Sequence, residues 1–226
     1  MIAVEKHPAN VNKTGTTTVA LKYSDGVVVA ADKRASAGTY IASKTARKIL
    51  QVDEHMVLTI SGYVGDAQYL ARLADSEARY FRMRSGKRIS VKALSTLLSN
   101  YLNYYRYVPY VISLILAGYD DTGSHVFQID LDGGILEEEY TATGSGSIVA
   151  IGVLDDRYKK GMTLDEALEL AIRAIARAMG RDAATGDGID VAYVNAEGVH
   201  YLRSDEIEQY LSRIKAMEFS GTAKLI

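Results

Sequence analysis

The stretch that decides the fold is Gly15-Thr16-Thr17-Thr18-Val19-Ala20-Leu21-Lys22-Tyr23, then Ser24-Asp25-Gly26, then Val27-Val28-Val29-Ala30-Ala31-Asp32-Lys33-Arg34. Both outer runs are rich in β-branched and apolar residues, and Ser-Asp-Gly between them is a tight-turn signal, so the segment reads as a β-hairpin. A threonine in such a run is ordinary, and taken alone Thr16 is a strand residue. Its chemistry changes only if the Gly15–Thr16 bond is cut. A threonine hydroxyl is a weak nucleophile that needs a base, and a newly exposed α-amino group, with a pKa of about 8, supplies one. Glycine before the threonine lets the backbone turn sharply and leaves its carbonyl open to attack.

Working outward, the hairpin is followed by short extended runs at 39–42 and 47–52 and a third β-rich run at 56–61, closed by Gly62. The period then changes. Leu70, Ala74, Ala78 and Phe81 recur at helical spacing over 66–83, and Gly86 stops that helix. Ser90 caps a second, with Val91, Leu94, Leu97, Leu98 and Leu102 on one face. Strands are expected at 111–118, 126–131 and 136–140, and a third helix starting near Ser145. Thr163-Leu164-Asp165-Glu166 is a capping box for a fourth helix whose stripe is Ala167, Leu168, Ala171, Ile175 and Ala178, with Gly180 as its stop. Strands at 189–194 and 199–202 precede a short final helix capped by Ser204 with Asp205 and Glu206. Strands and helix pairs in this order exclude the strict alternation of a doubly wound parallel sheet; the pattern alone says α+β.

Composition narrows the function. The 226 residues are enough for one sizeable domain, and the net charge of −2 gives no pull towards nucleic acid or an anionic membrane. No run approaches the roughly 18 apolar residues of a membrane span. There are no cysteines, so disulfides, thiol catalysis and thiolate metal sites are excluded, which fits a cytoplasmic protein. The four histidines, His7, His55, His125 and His200, show no metal-ligand spacing and read as packing or surface residues. The tyrosines 101, 104, 105, 107 and 110 have only Arg106 interleaved, too little positive charge for a nucleic-acid platform, and read as packing or subunit contact. Gly144-Ser145-Gly146 is not a dinucleotide loop, since Val149 stands where the third glycine falls.

Gly-Thr-Thr-Thr-Val, the hairpin, Val-Val-Ala-Ala-Asp-Lys-Arg-Ala-Ser, Ile-Ala-Ser-Lys, Ser61-Gly62, Asp66-Ala67-Gln68, residues 143–147 and Arg181-Asp182, in that order, resemble the proteasome β-subunits of archaeal type, which are N-terminal-nucleophile hydrolases. The resemblance implies a four-layer αββα sandwich of two antiparallel sheets flanked by helix pairs. It makes residues 1–15 a propeptide removed by self-cleavage at Gly15–Thr16, and residues 16–226 the catalytic domain of a threonine endopeptidase. It places Asp32, Lys48, Ser145, Asp182 and Thr185 around the nucleophile Thr16 and gives the Gly62 N–H to the oxyanion. Ala35, Ala46, Ile60 and Val64 would line an apolar pocket for the residue before the cut, and Ser36 would hold the extended substrate backbone. Asp32 closes an otherwise apolar run, and an ion pair with Lys48 offsets the cost of burying it. Positive charge on Lys48 would lower the pKa of the Thr16 hydroxyl.

The family usually has Arg-Asp-x-x-Ser-Gly where this chain has Arg181-Asp182-Ala183-Ala184-Thr185-Gly186; the hydroxyl is kept and a methyl added. The expected partners are proteasome α-subunits and other β-subunits in stacked heptameric rings, unfolded polypeptide substrates, and a regulatory ATPase reached through the α-rings. No nucleic acid, membrane, metal or organic cofactor is called for. A non-catalytic ring-forming β-subunit, and a related amidase acting on a small amide, are the alternatives. The complete set Thr16, Asp32, Lys48 and Ser145 argues for catalysis over the first, and native mass separates the second.

Overall fold

The computed structural model describes residues 15–222, with side chains described to residue 217. Residues 1–14 of the expected propeptide lie outside the described residues. The hairpin forms as its sequence dictates: β1 (Thr17–Tyr23) pairs antiparallel with β2 (Gly26–Asp32), from Thr18 opposite Ala31 to Tyr23 opposite Gly26.

The hairpin is the centre of one five-stranded sheet. Its flanks are β10 (Tyr140–Gly144) beside β1, and β11 (Ile189–Asn195) then β12 (Gly198–Tyr201) beside β2. The second sheet runs in the order β5 (Ile49–Asp53), β6 (Met56–Gly62), β7 (Ile112–Asp120), β8 (Gly123–Ile129), β9 (Ile135–Glu137). Neighbours in both are antiparallel.

Side-chain alternation explains why β2 is apolar at nearly every position. Successive residues point to opposite faces, and here both faces are buried. Ala31, Val29 and Val27, with Ala20 of β1, point into the space between the sheets, where they meet Val57, Ile115, Ala117, Val126, Ala192 and Val194. Val28 and Ala30, with Val19 and Leu21, point the other way, onto helices α3 (Ser147–Arg157) and α4 (Leu164–Met179). The second sheet does the same with Met56, Leu58 and Ile60 against α1 (Val64–Ser85) and α2 (Val91–Tyr104). The result is helix pair, sheet, sheet, helix pair: the expected four layers.

The expected punctuation holds. Gly86 ends α1 in the left-handed conformation with φ 70°, and Ser90 Oγ accepts the Ala93 N–H at 3.2 Å. Thr163 and Glu166 make the reciprocal capping box of α4. Helix α4 buries more than its expected stripe, adding Leu170, Ile172 and Ala174, because it is wedged between β1–β2, α3 and the final helix α5 (Ser204–Thr222).

Three expectations need correction. The strand expected at 136–140 is two strands, β9 and β10, and the chain leaves one sheet for the other between Glu137 and Tyr140. An apolar run specifies a strand but not which sheet receives it. Helix α3 starts at Ser147 with Gly146 as its cap, near Ser145 as expected. The final helix spans 19 residues, with Ile207 and Ile214 buried, and Ser204 lies inside it. Of the three expected cap residues, Glu206 accepts the Arg203 N–H at 2.8 Å at its start. A three-residue strand, β3 (Ala35–Ala37), was not expected and pairs with β4 (Tyr40–Ser43) in a separate ribbon.

The tyrosine cluster packs on itself: Tyr69, Tyr101 and Tyr110 link hydroxyls at 2.8 and 3.3 Å, while Tyr104 and Tyr107 stay exposed. His55 is buried against the Ile89 carbonyl at 2.9 Å, His125 meets Glu137 at 2.8 Å, and His200 stacks on Tyr193. These are the packing roles read from the sequence; His7 lies outside the described residues.

Candidate active site

The two sheets bring the expected residues to one end of the sandwich. Thr16 directly precedes β1 and Asp32 ends β2, so hairpin pairing makes them neighbours. Thr17 lies opposite Gly144 in β10, which delivers Ser145 to the same end. Lys48 directly precedes β5 and Gly62 ends β6 in the other sheet.

Asp32 is fully buried and accepts four hydrogen bonds, as a buried carboxylate must. Its Oδ1 takes the Thr17 N–H at 2.8 Å and Lys48 Nζ at 2.7 Å; its Oδ2 takes the Arg34 and Gly186 N–H groups, both at 3.0 Å. Lys48 Nζ also donates to the Arg34 carbonyl at 2.5 Å. Burial lowers the pKa of the Lys48 ammonium, and the neighbouring Asp32 carboxylate recovers only part of that shift.

A chain of hydroxyls surrounds the threonine run. The Thr16 N–H donates to Ser145 Oγ at 3.2 Å, and Ser145 donates to Asp182 Oδ2 at 2.5 Å. Thr185 Oγ1 donates to the same Asp182 oxygen at 2.5 Å. A hydroxyl has one proton, so the 2.6 Å contact between Thr17 and Thr185 must be donated by Thr17, whose oxygen in turn accepts the Gly146 N–H at 3.1 Å. The methyl of Thr185 is therefore accommodated with its hydroxyl in use on both sides. Its contacts are to Thr17 and Asp182, one residue removed from Thr16.

Burial by itself raises the Asp182 carboxyl, but hydrogen bonds from Ser145, Thr185 and the Ala184 N–H, together with the Lys48 charge, outweigh it and hold the group below its ordinary 3.8. A carboxyl lowered on folding stabilises the fold above its unfolded pKa and loses that contribution as pH falls through the folded value. The stability gap between wild type and Asp182→Asn should thus be constant from neutral pH down to about pH 5 and narrow below about pH 4; urea midpoints across that range check it.

Thr16 lies in a cavity of about 440 Å³. Ala35, Ser36, Ala46, Ile60, Gly62 and Val64, all singled out from sequence, line it, and so do Ala37, Ala42, Ser43, Arg47, Ala67 and Gln68. The lining is thus mostly small and apolar, as expected, with a polar margin that the sequence reading omitted. Ser36 Oγ accepts the Gly15 N–H at 2.9 Å, so in the uncut chain it holds the backbone just before Thr16. A Cβ on Gly15 would overlap the Ala184 side chain. The Thr16 hydroxyl donates to the Gly15 carbonyl at 2.7 Å, which puts its oxygen beside the bond it would have to attack.

Gly62 has φ 113°, and a Cβ there would overlap the Val111 carbonyl. Successive strand N–H groups point to opposite edges. Ile60 N–H bonds the Lys48 carbonyl and Tyr63 N–H bonds Val111, so the Gly62 N–H faces the Lys48 side, where the cavity lies. Gly62→Ala is expected to cost about 1–3 kcal/mol of stability through backbone strain, read as a lowered denaturation midpoint.

A family model described as Proteasome subunit matches residues 12–194. The chain belongs to the proteasome subunit family. It is 48% identical over 202 residues to a proteasome subunit beta of Archaeoglobus fulgidus, covering 89% of this chain and 95% of that one. The corresponding proteins of Methanosphaerula palustris and Ferroglobus placidus are also 48% identical, each covering 89% of this chain and 96% of theirs. Within the proteasome family the chain is thus an archaeal-type β-subunit.

Around the site of this proteasome β-type chain, sequence reasoning missed three contributors. Thr17 was read only as a strand residue, yet its N–H and hydroxyl tie Asp32 to Thr185. The Thr18 hydroxyl bridges the sheets to Thr59 at 3.0 Å and reaches Thr143 at 2.8 Å. Arg34 touches Asp32 and Lys48 through its backbone. The available signal was three consecutive hydroxyls, Thr16 to Thr18, leading into the apolar Val19-Ala20-Leu21: polar groups at buried positions need partners.

Proposed function

We propose that this chain is a threonine endopeptidase, the catalytic β-subunit of a 20S proteasome core. The observation that carries the reading is Thr16 itself: its oxygen is 2.7 Å from the Gly15 carbonyl oxygen, its nitrogen is on Ser145, and it opens into an apolar cavity. In the first step Thr16 Oγ1 adds to the Gly15 carbonyl carbon, the Gly15–Thr16 C–N bond breaks, and the acyl group passes to oxygen. The hydroxyl proton passes to the departing nitrogen, so this step already frees the Thr16 amine. Water then hydrolyses the ester between Gly15 and Oγ1, restoring the Thr16 hydroxyl and releasing residues 1–15.

In turnover the amine takes the hydroxyl proton as Oγ1 attacks a substrate carbonyl, then gives it to the leaving amine. The Gly62 N–H donates to the oxyanion, a type of contact often worth about 3 kcal/mol in the transition state. Lys48, fixed by Asp32, holds positive charge beside the reacting oxygen. Water then releases the acyl-enzyme. These steps run on the chain's own groups, with no call on a metal or organic cofactor. The cavity favours apolar residues before the cut, with about 1–3 kcal/mol per methylene of discrimination. The setting is a cytoplasmic particle in which heptameric β-rings lie between α-rings, with unfolded polypeptides as substrate and an ATPase acting through the α-rings.

Intact mass of the chain co-assembled with proteasome α-subunits tests this. Loss of residues 1–15, together with cleavage of apolar-ended fluorogenic peptides, is the expected result. A retained N-terminus with no peptide cleavage would mark a ring-forming, non-catalytic β-subunit.

A further inference from the structure

We propose that Arg34 is a positioning residue for this site, its guanidinium strapping the segment 182–187 onto the end of β2. Arg34 lies two residues beyond Asp32, and its backbone serves the ion pair: the N–H donates to Asp32 Oδ2 at 3.0 Å and the carbonyl accepts Lys48 Nζ at 2.5 Å. Its side chain reaches a different part of the chain. Nε donates to Asp187 Oδ2 at 2.7 Å and Nη1 donates to the Ala183 carbonyl at 2.7 Å. The ion pair is partly shielded, with 22% and 16% of the two side chains exposed.

The segment gripped at both ends carries much of the shell around Thr16. Asp182 receives Ser145 and Thr185, Thr185 receives Thr17, and the Gly186 N–H donates to Asp32. A shift of the segment therefore perturbs the Ser145 contact to the Thr16 nitrogen and the Asp32 contact to Lys48 together. Asp187 supplies an independent sign. It is the one residue other than glycine with positive φ among the described residues, at 63°. Left-handed backbone is free for glycine and next easiest for Asn and Asp, and at this position the chain carries the carboxylate that meets Arg34. The hydrogen bond from Arg34 keeps the Asp187 carboxyl below its ordinary range, as a functioning pair requires. A planar guanidinium grips carboxylate and carbonyl at once, which an ammonium does less well.

The effect on rate rests on the threonine-peptidase reading; the strap itself rests on geometry alone, and the experiment separates the two. Arg34→Gln, Asp187→Asn and the double variant are assembled with α-subunits. They are assayed with an apolar-ended fluorogenic peptide, and the amides of 182–188 are followed by hydrogen exchange. Each single variant should lose about tenfold in kcat with KM within about twofold, since small misplacement costs rate more than binding. The double variant should lose no more than Arg34→Gln alone, because the contact that Asp187→Asn removes is one that Arg34→Gln has already removed. Thr185 and Gly186 amides should exchange faster in all three, and Arg34→Lys should recover part of the rate. Unchanged kcat in the single variants, losses that multiply in the double, or unchanged exchange of these amides would each overturn the proposal. If the wild type hydrolyses nothing, the peptidase reading falls, and the exchange data still decide the strap.

Discussion

Thr16→Ala is expected to remove peptide hydrolysis and to leave residues 1–15 attached. One oxygen is asked to do both jobs, so its loss stops both. Deleting the nucleophile of a hydrolase costs on the order of 10⁶ in kcat, which places the residual rate below detection. The structural cost is small by comparison. The hydroxyl's hydrogen bond is to the adjacent Gly15 carbonyl, and losing one such neutral contact costs about 1 kcal/mol. The variant should therefore fold and assemble with a denaturation midpoint close to wild type while being inert, and Thr16→Ser, which keeps the oxygen, should remain active. Intact mass and a fluorogenic assay on the same particles check both parts. Trimming of the N-terminus in Thr16→Ala would place the attacking atom elsewhere.

Lys48→Met comes next in size, and the question is whether stability or rate suffers more. Removing one partner of a buried ion pair usually costs about 3–5 kcal/mol, because the other charge is stranded. Here Asp32 keeps three backbone donors, Thr17, Arg34 and Gly186, and the burial that lowers the Lys48 pKa disfavours the charge being removed. The stability loss should therefore fall below that range. The rate has no such cushion. In the mechanism proposed above the ammonium favours the ionised nucleophile oxygen, and loss of a preorganised charge of this kind costs about 10²–10³ in kcat. Urea midpoints against kcat for wild type and Lys48→Met decide the order. Lys48→Arg should not rescue the rate, because a planar guanidinium cannot reproduce the contacts of one nitrogen to Asp32 and to the Arg34 carbonyl. Full activity in Lys48→Met would remove lysine from the mechanism.

Much of this was legible in advance, for identifiable reasons. The hairpin, the caps at Ser90 and Thr163 and the stop at Gly86 depend on neighbours within a few residues, and they were found where local chemistry put them. The apolar lining residues Ala35, Ala46, Ile60 and Val64 were found because the likeness to proteasome β-subunits carried their positions. The failures share one cause. The run at 136–140 divides between two sheets, and the Thr17 and Thr18 side chains, read only as strand positions, bond partners far along the chain.

By itself the sequence determined the alternation that makes two-faced strands, the helix boundaries set by capping chemistry, and membership of the proteasome family. Only the tertiary structure decided which hydroxyl donates to which, that Thr17 and Thr18 are bonded side chains as well as strand residues, and that Arg34 faces Asp187 across 153 positions. Strand and helix signals are short-range and survive in the order of residues. A buried polar group takes whichever partner folding brings within about 3 Å, and that distance is set by the packing of layers, which no stretch of the chain contains.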